Sequence, residues 1–194
     1  QTLNGRVELT REDERSRQNF GTTFQYGRSD GVESAYRYQL FGSIGYEFGA
    51  NEHYFSGSLR HQRDHYATNE YQWAVAASLG LTVYEEEDSH LNIEIGPGYR
   101  FAKLQGLRVH KNEWIVRGHL DFAHQLTATT RIYDTLLIEA GRDNTYASND
   151  MGVQVQMSEA LALKAGIEVR HNTDVLPGRE QTDTLTTVNL VYGF

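Results

Sequence analysis

Seven basic and six acidic residues recur at alternate positions of extended-looking stretches: Arg6, Arg37, Arg60, Arg100, Arg117, Lys164 and Arg170, with Glu8, Glu47, Glu94, Asp121, Glu139 and Glu168. Charges that share one face of a segment whose other face is apolar call for a polar interior. Inside a narrow interior they must be solvated or paired, because an isolated buried ion costs several kcal/mol. Two chemistries follow: a salt-bridged network that fills and stiffens the interior, or a path for small solutes or ions whose selectivity is set by the arginine excess. Chain direction puts Arg37, Arg60, Arg100, Arg117, Glu139, Glu168 and Arg170 in one half of that interior. This predicts a salt-bridged constriction there, and the near balance of charge favours the network over the path.

Other reactive groupings are weaker. His61 and His124 could belong to a Ser-His pair on an outer wall, but neither has a convincing serine partner in the pattern, and such a pair needs an orienting group as well. His61 with His65, or His171 with Asp174, gives no complete metal coordination shell. The run Glu85-Glu86-Glu87-Asp88 reads as a solvated turn, and Asn144-Thr145-Tyr146 and Asn172-Thr173-Asp174 read as loop turns. No cysteine is present, so thiolate chemistry and disulfides are excluded. No catalytic residue, metal site or cofactor is expected.

The elements that would position the charges have a period of two. In the segment 71–83, Tyr71, Trp73, Val75, Ala77, Leu79, Leu81 and Val83 face one way, and Gln72, Ala74, Ala76, Ser78, Gly80 and Thr82 the other. Similar alternation begins at Leu3, Phe20, Tyr36, Phe55, Leu91, Trp114, Ile132, Met151, Leu161 and Thr182, which makes eleven strands over residues 1–194 as a single domain. Pro97 is tolerable in its strand only at a bulge or a locally unpaired position. A mean hydropathy of -0.59 does not oppose a membrane location, since a transmembrane barrel alternates lipid-facing apolar and lumen-facing polar residues. No run of about 18 apolar residues supports a helical span. The net charge of -8 argues against nucleic-acid binding.

The pattern therefore predicts an all-β, transmembrane, antiparallel up-and-down barrel. Its last residues, TDTLTTVNLVYGF, end in the aromatic pair Tyr192 and Phe194, as closing strands of outer-membrane barrels do. Placing Phe194 at the periplasmic rim makes the outer loops 28–34, 64–70, 103–112, 142–150 and 171–181, the longer set. Bacterial single-chain barrels have even strand counts, so the odd count predicts twelve strands in the intact protein, the first missing before Gln1. Tyr36, Tyr38, Tyr71, Trp73, Tyr99, Phe101 and Trp114 would form an outer aromatic girdle, and Tyr46, Phe48, Phe55, Tyr192 and Phe194 an inner one. Expected partners are outer-membrane lipids and lipopolysaccharide, the barrel assembly machinery through the carboxy-terminal strand, and an unidentified protein at the outer loops. Lys103, Arg108 and Lys111 are the candidate anionic contacts.

Glu168-Val169-Arg170-His171-Asn172, Pro177-Gly178 and the closing TDTLTTVNLVYGF resemble the end of the putative salt-induced outer-membrane protein family, whose function is unknown. Ile95-Gly96-Pro97-Gly98-Tyr99-Arg100 and Asp143-Asn144-Thr145-Tyr146 resemble its internal motifs at similar spacing. The resemblance covers essentially the whole chain and is most specific at the carboxy end. Members of that family begin with a further glycine-rich strand and a Gly-Asn-Thr loop, which this sequence lacks. The resemblance implies an outer-membrane location and a link to salt stress, and no catalytic residues.

Overall fold

The computed structural model describes residues 2–13, 15–29, 32–48, 53–65, 69–106, 109–158, 161–175 and 180–192. Eleven strands form one antiparallel sheet in chain order: β1 (Thr2–Asp13), β2 (Ser16–Ser29), β3 (Val32–Glu47), β4 (His53–Asp64), β5 (Asn69–Glu86), β6 (Ser89–Leu104), β7 (His110–Gln125), β8 (Thr130–Gly141), β9 (Thr145–Gln156), β10 (Leu161–Asn172) and β11 (Thr182–Tyr192). Each strand pairs with its sequence neighbour, so every connection is a hairpin. The sheet curls into a nearly closed barrel. β1 pairs with β2 and β11 with β10, and among the described residues no ladder joins β1 to β11. With an odd number of alternating strands these two edges run in the same direction, and the seam lies between them.

The alternation decides which side chains enter the lumen. On β5, Gln72, Ala74, Ser78 and Gly80 are buried, while Trp73, Val75, Leu79, Leu81 and Val83 are exposed outward. Outward exposure of Val7, Leu40, Ile95, Val116 and Val188 continues the apolar surface around the barrel. Inside, aromatic rings lie over glycines where a Cβ would collide: Phe41 over Gly21, Tyr54 over Gly80, and the Tyr133 hydroxyl against Gly152 and Gly166. Pro97 stands where the β5–β6 ladder lapses between the Ala76–Gly98 and Leu79–Ile95 pairs, so its missing N–H breaks no bond there.

The strands run further than alternation of apolar residues suggests. The turn expected at Arg11–Arg15 shrinks to 14–15, because Arg11, Glu12 and Asp13 continue the ladder opposite Gln18, Arg17 and Ser16. Thr145 to Asp150, assigned to a loop in the sequence, begin β9 and pair with β8 and β10. Connections at the two ends are 30–31, 65–68, 105–109, 142–144 and 173–181 against 14–15, 48–52, 87–88, 126–129 and 157–160. Only 173–181 is markedly long, so the expected contrast between long and short sets rests on that loop. These ends are called here the loop rim and the turn rim.

Two groups of outward aromatics mark the loop rim. His61 packs between Tyr38, Tyr71 and Trp73, with 4.1 Å between the His61 and Trp73 ring centroids. Tyr99 meets Phe101 and Trp114 edge-on at 4.7 and 5.2 Å. Tyr36 is exposed. At the turn rim Phe48 stacks on Phe55 at 4.3 Å, and Tyr46 is exposed. The Tyr192 side chain and Phe194 lie outside the described residues.

Candidate functional site

The most heavily buried polar groups meet in the half of the lumen nearer the loop rim. Arg60 on β4 reaches across the bore to Glu139 on β8, donating from Nε to Oε1 at 3.0 Å and pairing its second nitrogen with Oε2. Arg100 on β6 donates to the same carboxylate at 3.3 Å and to the Glu139 carbonyl oxygen at 2.9 Å. Its other nitrogen bonds Glu113 and the Asn144 carbonyl oxygen, each at 2.8 Å. Arg60, Arg100 and Glu139 are 5%, 2% and 2% exposed. At such burial one carboxylate shared by two guanidiniums is held by complementarity of charge, and removing Glu139 would leave Arg60 an uncompensated ion while Arg100 keeps Glu113. The Arg60 guanidinium also lies 4.3 Å over the Tyr146 ring, which is itself buried.

Around this plug the remaining arginines find separate partners. Gln62 Oε1 accepts from Arg60 at 3.0 Å and from Arg37 at 2.8 Å. Arg170 forms a two-point pair with Glu168 and donates to Gln25 at 3.2 Å, which joins β10 to β2 behind the seam. Arg117 lies opposite Glu139 in the β7–β8 ladder but turns to Glu94, which also accepts from Ser56 at 2.9 Å and Tyr54 at 3.2 Å. Of the seven residues singled out in sequence, Arg60, Arg100 and Glu139 therefore form the plug. Arg37 joins them through Gln62, Arg170 and Glu168 stand beside the seam, and Arg117 belongs to the half below.

That lower half is open. A cavity of about 540 Å3 runs from the underside of the plug, at Arg60, Glu139 and Tyr146, down to Glu12, Arg17 and Arg131 near the turn rim. Its wall carries paired charges. Asp150 accepts from Arg6 at 3.1 Å, Lys164 at 3.3 Å and Tyr133 at 3.3 Å. Glu8 accepts from Arg6 and Asn19, and His90 pairs with Asp121 at 3.2 Å. Glu47, placed on the inward face by sequence, is exposed at the turn rim.

Above the plug the loops are tied to it. Asn144, 5% exposed, accepts at Oδ1 from the Thr173 and Asp174 backbone at 3.1 and 3.0 Å, and its amide donates to Asn172. Glu113 accepts from the Asp143 backbone at 2.8 Å. Lys111 reaches Asp174 at 3.0 Å. Lys103 donates to Glu70 at 2.6 Å, and this bond at the loop rim, beyond the apolar band, holds the Glu70 carboxyl below the usual carboxylate range. Arg108 lies outside the described residues.

Sequence reading missed Asp150, Tyr146, Asn144, Glu113 and Gln62 as members of the network. Asp150, Tyr146 and Asn144 fell in a stretch without apolar alternation and were assigned to a loop. Gln62 is neutral, so its side chain carries no charge pattern that marks it as a bridge between Arg37 and Arg60. Among the described residues no group of three or more His, Asp or Glu side chains is placed to hold a metal ion.

Comparison with known proteins is brief. No curated protein matches the sequence. The model of the family described as "Protein of unknown function, DUF481" matches residues 1–194, and a nearly closed barrel with a charge-lined lumen is thus the architecture of a chain that belongs to the DUF481 family.

Proposed function

We propose that this protein is a bacterial outer-membrane barrel with a structural, stress-related role in the envelope, and that its lumen is closed to ions by the Arg60–Glu139–Arg100 plug. The single observation behind this reading is the meeting of β4, β6 and β8 side chains across the bore at almost complete burial. An apolar outer band between aromatic rims, with a polar interior, is what a barrel in lipid requires. In that setting the turn rim faces the periplasm, and the large cavity is a vestibule open from that side. The closing strand β11 is the segment offered to the barrel assembly machinery, and lipopolysaccharide or a protein partner meets the loop rim. Lys103 and Lys111 are already engaged by Glu70 and Asp174, which weakens them as anionic contacts.

A non-enzymatic role fits the outer wall. His61 has no hydrogen-bond partner at Nδ1 and is packed among aromatic rings, unlike the histidine of a Ser-His pair. A small-solute or ion channel is the second reading, favoured by the cavity of about 540 Å3, and it needs the plug to part.

Single-channel recording in planar bilayers tests the proposal. The wild-type barrel is expected to give no discrete conductance steps at neutral pH. Regular steps from purified wild-type protein would establish the channel instead.

A further inference from the structure

The apolar outer wall is interrupted by a groove of about 920 Å3. Phe20, Leu40, Ile44 and Leu59 line it, together with Gly42 and Gly57. The two glycines differ. The Phe20 ring lies over Gly42, where a Cβ would collide with it, so packing within the chain accounts for that residue. A Cβ at Gly57 would meet nothing within 4 Å. A glycine inside a strand marks a place where a ligand or another backbone comes close, and no described part of this chain comes close to Gly57. Both glycines sit on strands paired on either side, β3 and β4, so this part of the wall is clear of the β1–β11 seam.

The groove has a polar end. Toward the loop rim the outward rungs of the β3–β4 ladder run Ile44–Gly57, Gly42–Leu59, Leu40–His61 and Tyr38–Arg63. His61, 9% exposed, lines the groove beside Trp73, and its Nδ1 has no hydrogen-bond partner. The next rung continues from Arg63 through Tyr71 to Lys103, level with the aromatic cluster of the loop rim. Lys103 holds Glu70 at 2.6 Å, whereas the half-exposed Arg63 guanidinium stands 3.8 Å from that carboxylate, beyond hydrogen-bond distance.

An apolar trough, a polar ring and a guanidinium follow one another along the wall. Acyl chains, their polar linkage and an anionic headgroup follow one another in the same order in a lipid. We infer that the groove is a site for the phosphorylated acyl anchor of lipopolysaccharide, with an acyl chain against Gly57 and a phosphate at Arg63. The site rests on the outer-membrane reading, which puts the loop rim at the outer leaflet, and does not depend on whether the lumen conducts.

The test titrates the folded barrel in a neutral detergent with lipid A, and in parallel with phosphatidylcholine, whose headgroup has no net charge; native mass spectrometry reads the lipid retained. Wild type should retain lipid A saturably. Gly57→Leu, whose side chain starts in open space, should lose that saturable retention. Arg63→Gln, at an exposed position, should bind lipid A more weakly by on the order of tenfold. No retention by wild type, undiminished retention in Gly57→Leu or Arg63→Gln, or equal retention of phosphatidylcholine would overturn the site. Flotation of the wild-type barrel with phosphatidylcholine vesicles tests the membrane reading separately. A barrel that floats but retains no lipid A loses the site alone, and one that does not float loses both.

Discussion

In the half of the lumen nearer the loop rim, Arg60, Arg100 and Glu139 meet across the bore with exposures of 5%, 2% and 2%. In the half nearer the turn rim, Arg117 and Glu94 pair along one wall and leave a cavity of about 540 Å3 beside them. The two halves use the same residue types, arginine with glutamate, and the same inward positions on alternating strands. They differ in where the partner stands. A partner across the bore bridges it, whereas a partner on the next strand only lines it. The difference teaches that charge content does not set whether such a lumen is bridged; the azimuth of each pair does.

The largest expected effect lies in the plug. Glu139→Ala strands the buried Arg60 guanidinium and leaves Arg100 with Glu113 alone, and denaturant unfolding in detergent should show a loss of about 3–5 kcal/mol. Glu139→Gln, which keeps an acceptor, should fall between that variant and wild type. Arg117→Ala should cost less, about 1–3 kcal/mol, because Glu94 keeps Ser56 and Tyr54 and can draw water from the cavity. Equal losses in Glu139→Ala and Arg117→Ala would erase the distinction between the halves.

Asn144→Ala sharpens the comparison at the loop rim. It frees the Thr173 and Asp174 backbone and should cost about 1 kcal/mol, while residues 173–181 become cleavable by protease sooner than in wild type. Unchanged proteolysis would mean that the latch does not hold the loop. Glu70→Gln is the smallest change. The Glu70–Lys103 pair sits at the solvent rim, so no measurable midpoint shift is expected at neutral pH. Because the Glu70 carboxyl is depressed, whatever the pair contributes is present above the ordinary carboxylate range and disappears as the pH falls through the lowered value.

Strand number, order and the inward set apart from Glu47 were legible because period-two alternation is local: Trp73 and Val75 outward with Gln72 and Ala74 inward needs nothing beyond the sequence. The identity of partners was not. Arg60 and Glu139 are 79 residues apart and belong to non-adjacent strands, so their meeting depends on strand stagger and barrel curvature. Arg117 shows the same limit, since its ladder neighbour is Glu139 but its ion partner is Glu94. Strand ends were also obscured. Thr145 to Asp150 carry few apolar residues, yet ladders on both sides hold them as β9, and this put Tyr146 and Asp150 inside the barrel.

The absence of native cysteine allows the central claim, a barrier between two compartments of one lumen, to be probed with a single introduced thiol. Thr135 lines the cavity on β8, four residues before Glu139 along the strand. In barrels inserted in one orientation in vesicles, Thr135→Cys should react with a charged thiol reagent added on the turn-rim side and stay unmodified when the reagent is added on the loop-rim side. Combining it with Glu139→Ala should admit the reagent from both sides. Equal labelling of Thr135→Cys from both sides, with the plug intact, would contradict the account.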